Sequence, residues 1–372
     1  MRFTVTYRLF AGSSDQAGQR AADIALEQTV EIPRDVVPKG YVEDVILGKV
    51  ESVKLEAEGR YTAIISYSAD SVGGELPQLL NVMFGNTSIQ TGVKMMDFQL
   101  GPQLQAQFPG PSFGIKGLRE RLHRPTGPLI APVLKPQGSS ADTLAEIAYR
   151  CVLGGADVIK DDHGLTNQSM APFKERCEKI TAAVARANRE TGGHAAYFPN
   201  VAGHSEQLME FARFASDVGA GGLLLMPGLF GFDLVRRLAA DKKINLPLMT
   251  HPSFLGPYVL SPETGFSHAM MFGALQRLAG ADISVFPNVG GRFGFSEEEC
   301  QSIATACRDP QGLGRTMFPS PGGGMSVERA GDMHRMYGED VVYLLGGSLL
   351  RYGSRIGEGI RDMRAELAKQ IV

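Results

Sequence analysis

Four consecutive side chains in the middle of the chain can take part in acid–base or metal chemistry: Lys160, Asp161, Asp162 and His163. They follow residues 156–159, a short run of mostly small and β-branched residues that predicts a buried strand. Barrels and doubly wound sheets build their sites at the carboxyl ends of parallel strands, and the pleat points Lys160 and Asp162 the same way. Two or three of these groups could therefore share one hard cation. From these residues alone, a solvated helix start with capping aspartates is an equally good interpretation.

The composition bounds the class of protein. The 372 residues suffice for two domains, and 43% hydrophobic with 21% charged residues is typical of a soluble globular protein. A net charge of −3 gives no basic footprint, so we expect no nucleic-acid partner. No stretch approaches the ~20 apolar residues of a membrane span, and the N-terminus lacks an apolar signal core, so we expect a cytoplasmic protein. The cysteines show no Cys-x-x-Cys spacing, which predicts neither a zinc site nor a disulfide framework.

The first part of the chain predicts a separate α+β domain, residues 1–118. Two strand–helix–strand groups with antiparallel pairing favour a ferredoxin-like sheet covered on one face. A Pro- and Gly-rich segment at 108–114 is the expected linker. The predicted strands are 3–9, 50–56, 60–68 and 92–100, and the predicted helices are 15–28 and 76–84.

The remaining domain, residues 119–372, alternates short apolar runs with amphipathic stretches. Eight strands separated by helices in about 240 residues is the rhythm of a (β/α)8 TIM barrel. A doubly wound sheet is the alternative, but its usual Gly-x-Gly-x-x-Gly after the first strand is missing. The predicted strands are 129–134, 157–160, 195–198, 222–226, 247–251, 283–286, 316–318 and 341–345, and the predicted helices include 141–153, 172–190, 205–218 and 266–278.

Glycine-rich runs follow the seventh and eighth predicted strands. They are Gly322-Gly323-Gly324 and Gly346-Gly347. In barrels, loops at these two places form a common phosphate site, because their backbone N–H groups and a helix N-terminus face the anion. Each run alone also fits a simple tight turn. Together they predict an anionic, phosphorylated substrate.

Single polar residues follow other predicted strands and so belong to the same end of the barrel. Lys135 follows the first strand and His251 the fifth, while Asn288 and Arg292 follow the sixth. We expect these side chains to face a substrate bound between the cation and the glycine loops.

Taken together, these residues resemble a known family: the chain is similar to the RuBisCO-like proteins, non-carboxylating (form IV) members of the ribulose-bisphosphate carboxylase large-chain superfamily. The similarity runs in order along nearly the whole chain. Its motifs are Leu-Glu-Gln-Thr at 26–29, Gly-Asn at 85–86, Leu-Lys-Pro at 134–136, Gly-Gly-Ala-Asp-Val-Ile-Lys-Asp-Asp at 154–162, Thr-His at 250–251, Gly-Gly-Gly at 322–324 and Leu-Gly-Gly at 345–347.

The resemblance implies a role for each matching residue. Lys160 matches the lysine that reacts with CO₂ to form a carbamate, an oxygen ligand of the kind that Mg²⁺ prefers. Asp162 matches the second metal ligand, and Lys135 matches a proton carrier beside the reacting carbons. Glu27 and Asn86 match residues that reach the substrate from the partner subunit. The family therefore implies a homodimer with shared active sites, in which the N-terminal domain closes the partner's barrel; further assembly of dimers stays open.

Departures from the carboxylase pattern argue against CO₂ fixation. His163 replaces a metal-binding glutamate, so the third ligand becomes an imidazole, which suits Mn²⁺ or another transition metal better than Mg²⁺. His163 could instead act as an acid or base. Val285 and Pro252 replace the histidine and arginine of the second phosphate site, and residues 288–293 lack the lysine that stabilises incoming CO₂. We therefore expect a substrate with one phosphate and no carboxylase activity.

The reaction expected from this pattern is metal-dependent enediolate chemistry. Our first choice is decarboxylation of 3-oxo-isoapionate 4-phosphate, because the His163 variant resembles that group; Lys135, or Lys94 from the N-terminal domain, would then protonate the enediolate. The alternatives are an enolase or isomerase acting on a methylthioribulose-1-phosphate-type substrate in methionine salvage, and a non-catalytic barrel that only binds a sugar phosphate.

Overall fold

The computed structural model describes residues 1–310 and 312–369. The chain forms two compact units, the first made of Met1–Pro109 with Phe254–Leu275, the second of Gly110–Ser253 with the chain from Gln276 onward. The strands are β1 (Arg2–Phe10), β2 (Lys49–Ala57), β3 (Arg60–Ser68), β4 (Val93–Gln99), β5 (Leu129–Leu134), β6 (Val158–Asp161), β7 (Ala196–Phe198), β8 (Leu223–Leu225), β9 (Leu248–Thr250), β10 (Gly265–Phe266), β11 (Ile283–Pro287), β12 (Phe318–Gly322) and β13 (Val342–Leu345).

Helices connect these strands. The α-helices are α1 (Ser14–Glu27), α2 (Leu76–Phe84), α3 (Pro102–Gln107), α4 (Gly114–Leu122), α5 (Ala141–Leu153), α6 (Phe173–Thr191), α7 (Ser205–Asp217), α8 (Pro227–Phe230), α9 (Phe232–Ala240), α10 (Leu275–Ala279), α11 (Glu297–Arg308), α12 (Ala330–Tyr337), α13 (Gly347–Leu350) and α14 (Ile356–Ala368). Within the described ranges, none of the helices has the length and apolar character needed to cross a membrane.

The first unit is built on a sheet in the order β10-β4-β1-β3-β2. The strands β4, β1, β3 and β2 pair antiparallel, which is the ferredoxin-like order that two strand–helix–strand groups produce. Alternate residues of β1 are buried, so its apolar side chains cover one face while the others lie on the opposite face. The predicted ferredoxin-like sheet is therefore confirmed, and each bound of its predicted elements matches the observed bound or differs from it by one residue.

The second unit contains eight parallel strands in the order β7-β6-β5-β13-β12-β11-β9-β8. A backbone bridge from Asn200 to Leu224 joins the two ends of this sheet, which nearly closes it into a barrel. The interior is apolar, with Val133, Phe198 and Val285 among its members, and α4 adds Leu118 to the same cluster. The predicted TIM barrel is confirmed.

Two buried aspartates fix the starts of barrel strands. Asp157 precedes β6, and its Oδ2 accepts a hydrogen bond from the Ile130 N–H at 2.8 Å. Asp282 precedes β11 and accepts from three backbone N–H groups, those of Phe113, Gly114 and Leu248, at 2.7–2.9 Å. Burial raises the pKa of Asp282 to about 6, although the backbone hydrogen bonds act in the opposite direction.

The structure differs from the predicted elements at two places. The seventh strand runs over Phe318–Gly322 instead of 316–318. The prediction missed it because Pro319 and Pro321 are residues that a strand rarely contains. The predicted helix 266–278 begins instead with β10, which pairs in parallel with β4, and continues as a π-helix over Ala269–Ala274 before α10.

The segment Phe254–Leu275 also changes the domain boundaries. A single division after residue 118 was predicted. In the structure, the first unit consists of residues up to Pro109 and also contains this later segment. The reason is the pairing of β10 with β4, a contact between residues far apart in the chain.

Candidate active site

The centre of the candidate site is Lys160, on β6. Its side chain is only 1% exposed, and its Nζ donates a hydrogen bond to the Asp161 carbonyl at 2.7 Å. Burial lowers the pKa of Lys160 to about 8, with Lys135 acting in the same direction and Asp162 and Asp161 against it. A lysine with such a pKa is partly a neutral amine near neutral pH, and the neutral amine is the form that reacts with CO₂.

Asp162 links the ends of the first two barrel strands. Its Oδ1 lies 2.6 Å from the Lys135 Nζ and 3.4 Å from the His163 Nδ1. Burial alone would raise the pKa of Asp162, but the hydrogen bonds from His163 and Lys135 outweigh it and hold the pKa well below its usual range. Asp162 is therefore a permanent anion between two cation-forming groups.

His163 and His251 stack on each other at this end of the barrel. Their ring centroids are 4.2 Å apart with a 15° angle between planes. The His251 Nδ1 accepts a hydrogen bond from the Ser253 backbone N–H at 3.3 Å and lies 2.9 Å from its hydroxyl. Burial, followed by the nearby Lys160 and His163, keeps the pKa of His251 well below its ordinary value. His251 is thus a neutral imidazole.

Asp161 has a different environment from its neighbour Asp162. It is fully buried and binds the Arg176 Nε at 3.0 Å, the Tyr197 hydroxyl at 2.9 Å and the Asn200 N–H at 3.0 Å. The Asn200 side chain in turn donates to the His163 carbonyl at 2.9 Å. This network supports β6 and the turn that carries His163. Sequence reasoning missed Arg176 and Tyr197, although pleat alternation did separate Asp161 from Lys160 and Asp162.

The two glycine loops lie side by side at the ends of β12 and β13. Gly323 and Gly324 have φ values of +90° and +64°, which other residues rarely adopt. At Gly346 a side chain would meet nothing within 4 Å, so the space beside it is open. The Ser348 hydroxyl donates to the Met325 carbonyl at 2.8 Å and joins the loops. Gly322 and Gly347 complete the predicted set, at the end of β12 and the start of α13.

The predicted substrate contacts after β11 separate into two groups. Arg292 is exposed, with its guanidinium 5.0 Å from the Phe293 ring centre. Asn288 is 1% exposed; its Oδ1 accepts from the Tyr337 hydroxyl at 2.6 Å, and its Nδ2 faces the sulfurs of two methionines. The amide of Asn288 is therefore engaged by side chains of α12 and of the loop before it.

The remaining predicted residues belong to the first unit. The Asn86 Nδ2 donates to the Glu27 Oε1 at 2.9 Å, so these two residues act as a pair. Gln28 ties the elements that carry them, with its side chain accepting from the Thr87 N–H and donating to carbonyls at the end of α2. Lys94 is 7% exposed, and its Nζ donates to the carbonyls of Ser261 at 2.6 Å and Val259 at 3.4 Å. Lys94 is therefore bound within its own unit.

A divalent cation would be held by Asp162 and His163 together with a modified Lys160. Among the described residues, no cluster of three or more His, Cys, Asp and Glu side chains is suited to a metal ion. The donor set is complete only when Lys160 contributes an oxygen ligand, and its lowered pKa fits carbamate formation. The residues present are thus compatible with the metal that the sequence predicts.

Comparisons with known proteins show the family of this chain. Residues 114–366 match the family model for the ribulose bisphosphate carboxylase large chain, catalytic domain. The 5-methylthioribulose-1-phosphate isomerase of Rhodospirillum rubrum is 38% identical over 368 residues, 99% of this chain and 96% of that protein. The 2,3-diketo-5-methylthiopentyl-1-phosphate enolase of Bacillus pumilus is 32% identical over 92% of this chain and 86% of that protein.

A solved structure gives the same result. The crystal structure of a RuBisCO-like protein from Rhodopseudomonas palustris has a TM-score of 0.86 at 35% identity and covers 99% of this chain and 98% of that one. The predicted family is confirmed, and relatives of this similarity are named as enzymes. The chain belongs to the ribulose bisphosphate carboxylase large-chain family, as one of its RuBisCO-like enzymes.

Proposed function

We propose that this enzyme moves a proton on the carbon next to the carbonyl of a singly phosphorylated keto sugar, of the 5-methylthioribulose 1-phosphate type. The observation that carries the reaction type is the position of the Lys135 Nζ, 2.6 Å from the Asp162 Oδ1, together with the buried Lys160. The substrate class rests on the names of two relatives, an isomerase and an enolase. The substrates in both names carry a 1-phosphate and a 5-methylthio group. The predicted decarboxylation finds no support in these names, and enzymatic relatives weigh against a binding-only role.

The cation in this proposal is Mg²⁺ or Mn²⁺, and an imidazole ligand favours Mn²⁺. It would be held by Asp162, His163 and the carbamate of Lys160, which forms when the neutral amine bonds to CO₂ and releases one proton. The cation supplies stabilisation of negative charge on the substrate oxygens. Asp162 suits the task because its lowered pKa keeps it ionised, and any cation there competes with Lys135 for Oδ1.

Lys135 is the proposed proton carrier. Its Nζ is held at the end of β5 by Asp162, so it has a fixed position from which to give a proton to the enediolate carbon. His251 complements it as a hydrogen-bond donor. Because the Ser253 N–H donates to Nδ1, the proton of the neutral ring lies on Nε2, and that N–H can stabilise a developing oxyanion.

The phosphate in this proposal binds the glycine loops at 322–324 and 346–347. The Ser348 bond to Met325 joins the two loops, which supports one shared anion site. The engagement of Lys94 with two carbonyls weakens its candidacy as an alternative proton donor. A homodimer in which Glu27 and Asn86 complete the partner's site stays a prediction, and the hydrogen bond between these two side chains is consistent with it.

The test is a ¹H and ¹³C NMR time course in D₂O with Mg²⁺ and bicarbonate. Separate samples contain 5-methylthioribulose 1-phosphate, 2,3-diketo-5-methylthiopentyl 1-phosphate and 3-oxo-isoapionate 4-phosphate. We expect deuterium incorporation and isomerisation or enolisation with one of the methylthio substrates. Release of CO₂ from the third sample alone would overturn the proposal in favour of decarboxylation, and a Lys135→Ala variant with the normal rate would remove Lys135 from the mechanism.

A further inference from the structure

Arg329 lies between the loops that follow β11 and β12. It ends a short 3₁₀ helix, Val327–Arg329, which begins three residues after Gly324. Its Nη1 donates to the Gly324 carbonyl at 2.7 Å and to the Val289 carbonyl at 3.2 Å, and its Nη2 donates to the same Val289 carbonyl at 3.1 Å. One planar guanidinium therefore binds the backbones of two loops that come from different barrel strands.

The backbone on both sides is shaped to admit this guanidinium. Gly290 and Gly324 have φ values of +71° and +64°. A Cβ at Gly290 would lie 3.1 Å from the Arg329 Nη1, and one at Gly324 would lie 2.9 Å from it. The loops thus approach Arg329 more closely than other residues would allow.

The loop after β11 is also fixed by a contact with α12. Asn288 begins it, and its buried amide binds the Tyr337 hydroxyl at 2.6 Å. The next residue, Val289, is the one whose carbonyl Arg329 holds. Asn288 is therefore fixed through its side chain and Val289 through its carbonyl, so the start of this glycine-rich loop is held at two consecutive residues.

We propose that Arg329 is a positioning residue for phosphate binding at the glycine loop. A peptide unit beside glycine turns easily, and a carbonyl oxygen turned toward a phosphate would repel it. Arg329 draws the Gly324 and Val289 carbonyls to its own side, and its fixed positive charge adds attraction for the dianion. The inference rests on the proposed function in one respect, namely that the anion bound by this loop is the substrate's phosphate.

The test measures binding of inorganic phosphate to the whole enzyme by calorimetry, together with kcat and KM. Arg329→Ala should weaken phosphate binding about tenfold or more, a usual consequence of losing charged hydrogen bonds, and raise KM more than it lowers kcat. Arg329→Lys keeps the charge but lacks the planar fork, so it should recover only part of the affinity. The control is Arg335→Ala, since Arg335 is exposed on α12 and pairs with Asp332.

Two outcomes would overturn the proposal: Arg329→Ala binding phosphate as tightly as the wild type, or Arg329→Lys restoring it fully, which would leave charge as the whole effect. Hydrogen exchange provides a readout that does not depend on phosphate. The amides of residues 290–294 should exchange faster in Arg329→Ala than in Arg335→Ala, and equal rates would contradict the proposed positioning. If the wild type binds no phosphate, the phosphate part of the proposed function fails, and exchange alone then decides the positioning role.

Discussion

The two ends of the barrel use the same side chain for opposite purposes. At the amino ends of the strands, Asp282 is fully buried, and both of its carboxylate oxygens accept hydrogen bonds from backbone N–H groups. At the carboxyl ends, Asp162 is partly exposed and contacts Lys135 and His163, side chains that can carry protons or bind metal. Residue type therefore does not separate a structural carboxylate from one in the candidate active site. Its partners do: backbone donors at one end, ionisable side chains at the other.

The environments also change the pKa in opposite directions. Burial raises the pKa of Asp282 to about 6 despite its backbone hydrogen bonds, whereas hydrogen bonds from His163 and Lys135 lower that of Asp162 despite burial. The same substitution at each position should consequently affect different properties of the enzyme.

The largest effect is expected for Asp162→Asn. An amide cannot replace the anion beside Lys135 and His163, so the rate should fall by at least about 100-fold, the upper end of the loss found when an outer partner of a metal site is removed. The melting temperature should change little, because removal of this anion also relieves its burial. Steady-state kinetics and thermal unfolding on the same sample measure both. An active variant would place the reaction elsewhere.

Asp282→Asn should give the reverse result. One backbone N–H would face an amide nitrogen instead of an oxygen, which should cost about 2–4 kcal/mol of unfolding free energy. Turnover per folded molecule should stay near the wild-type value. Urea unfolding followed by assays below the transition tests this, and a kinetic defect in the folded variant would contradict the structural role.

The pH dependence of that loss has a definite sign. The folded-state pKa of Asp282, about 6, exceeds its unfolded value of about 3.9, so the folded state binds more protons between these pH values. Its contribution to stability is present at low pH and is lost as the pH rises through 6. The destabilisation by Asp282→Asn should therefore be about 1 kcal/mol larger at pH 5 than at pH 7.5.

A smaller effect concerns activation by CO₂. Because the pKa of Lys160 is about 8, its neutral fraction should rise about tenfold per pH unit below 8 and level off above it. The initial rate of activation by CO₂ without added metal should follow the same curve, as measured by trapping of ¹⁴CO₂. Lys160→Arg is the control, and activation that ignores pH between 6 and 8 would exclude carbamate formation on Lys160.

The smallest effect is expected at the partly exposed Arg124, near the amino ends of the barrel strands. Arg124 binds the Asp157 Oδ1 at 2.7 Å but is itself 41% exposed. When Arg124 is removed, Asp157 still has its hydrogen bond from the Ile130 N–H and its ion pair with Arg364. Arg124→Ala should therefore destabilise the fold by about 1 kcal/mol or less and leave kcat unchanged. A loss as large as that of Asp282→Asn would show that exposure is a poor guide at this end.

Sequence periodicity predicted most of the fold because the strands are local patterns. From β1 to β4, apolar residues alternate in the strands and recur at helical spacing in the helices. In the barrel, the succession of strands along the chain follows from the regular alternation of strands and helices. Elements fixed by distant partners escaped prediction. The strand β12 contains two prolines, and the two-residue strand β10 is defined by its pairing with β4.

The candidate site was predictable to a similar degree. The five residues Lys135, Lys160, Asp162, His163 and His251 are electrostatically coupled in the structure, as strand ends in a barrel suggest. The burial of Asn288 depends on Tyr337, 49 residues later, and the role of Arg329 depends on Val289, 40 residues earlier. Such contacts follow from the packed barrel and have no local signal.

The return of Phe254–Leu275 to the first unit has a consequence for synthesis of the chain. When the ribosome has made the first 109 residues, the edge of β4 that later binds β10 is an unpaired strand edge. It stays open until more than 150 further residues have been added, a long interval in which another nascent chain can pair with it. A fragment ending at Pro109 should therefore associate with itself, whereas the complete chain covers that edge with its own segment.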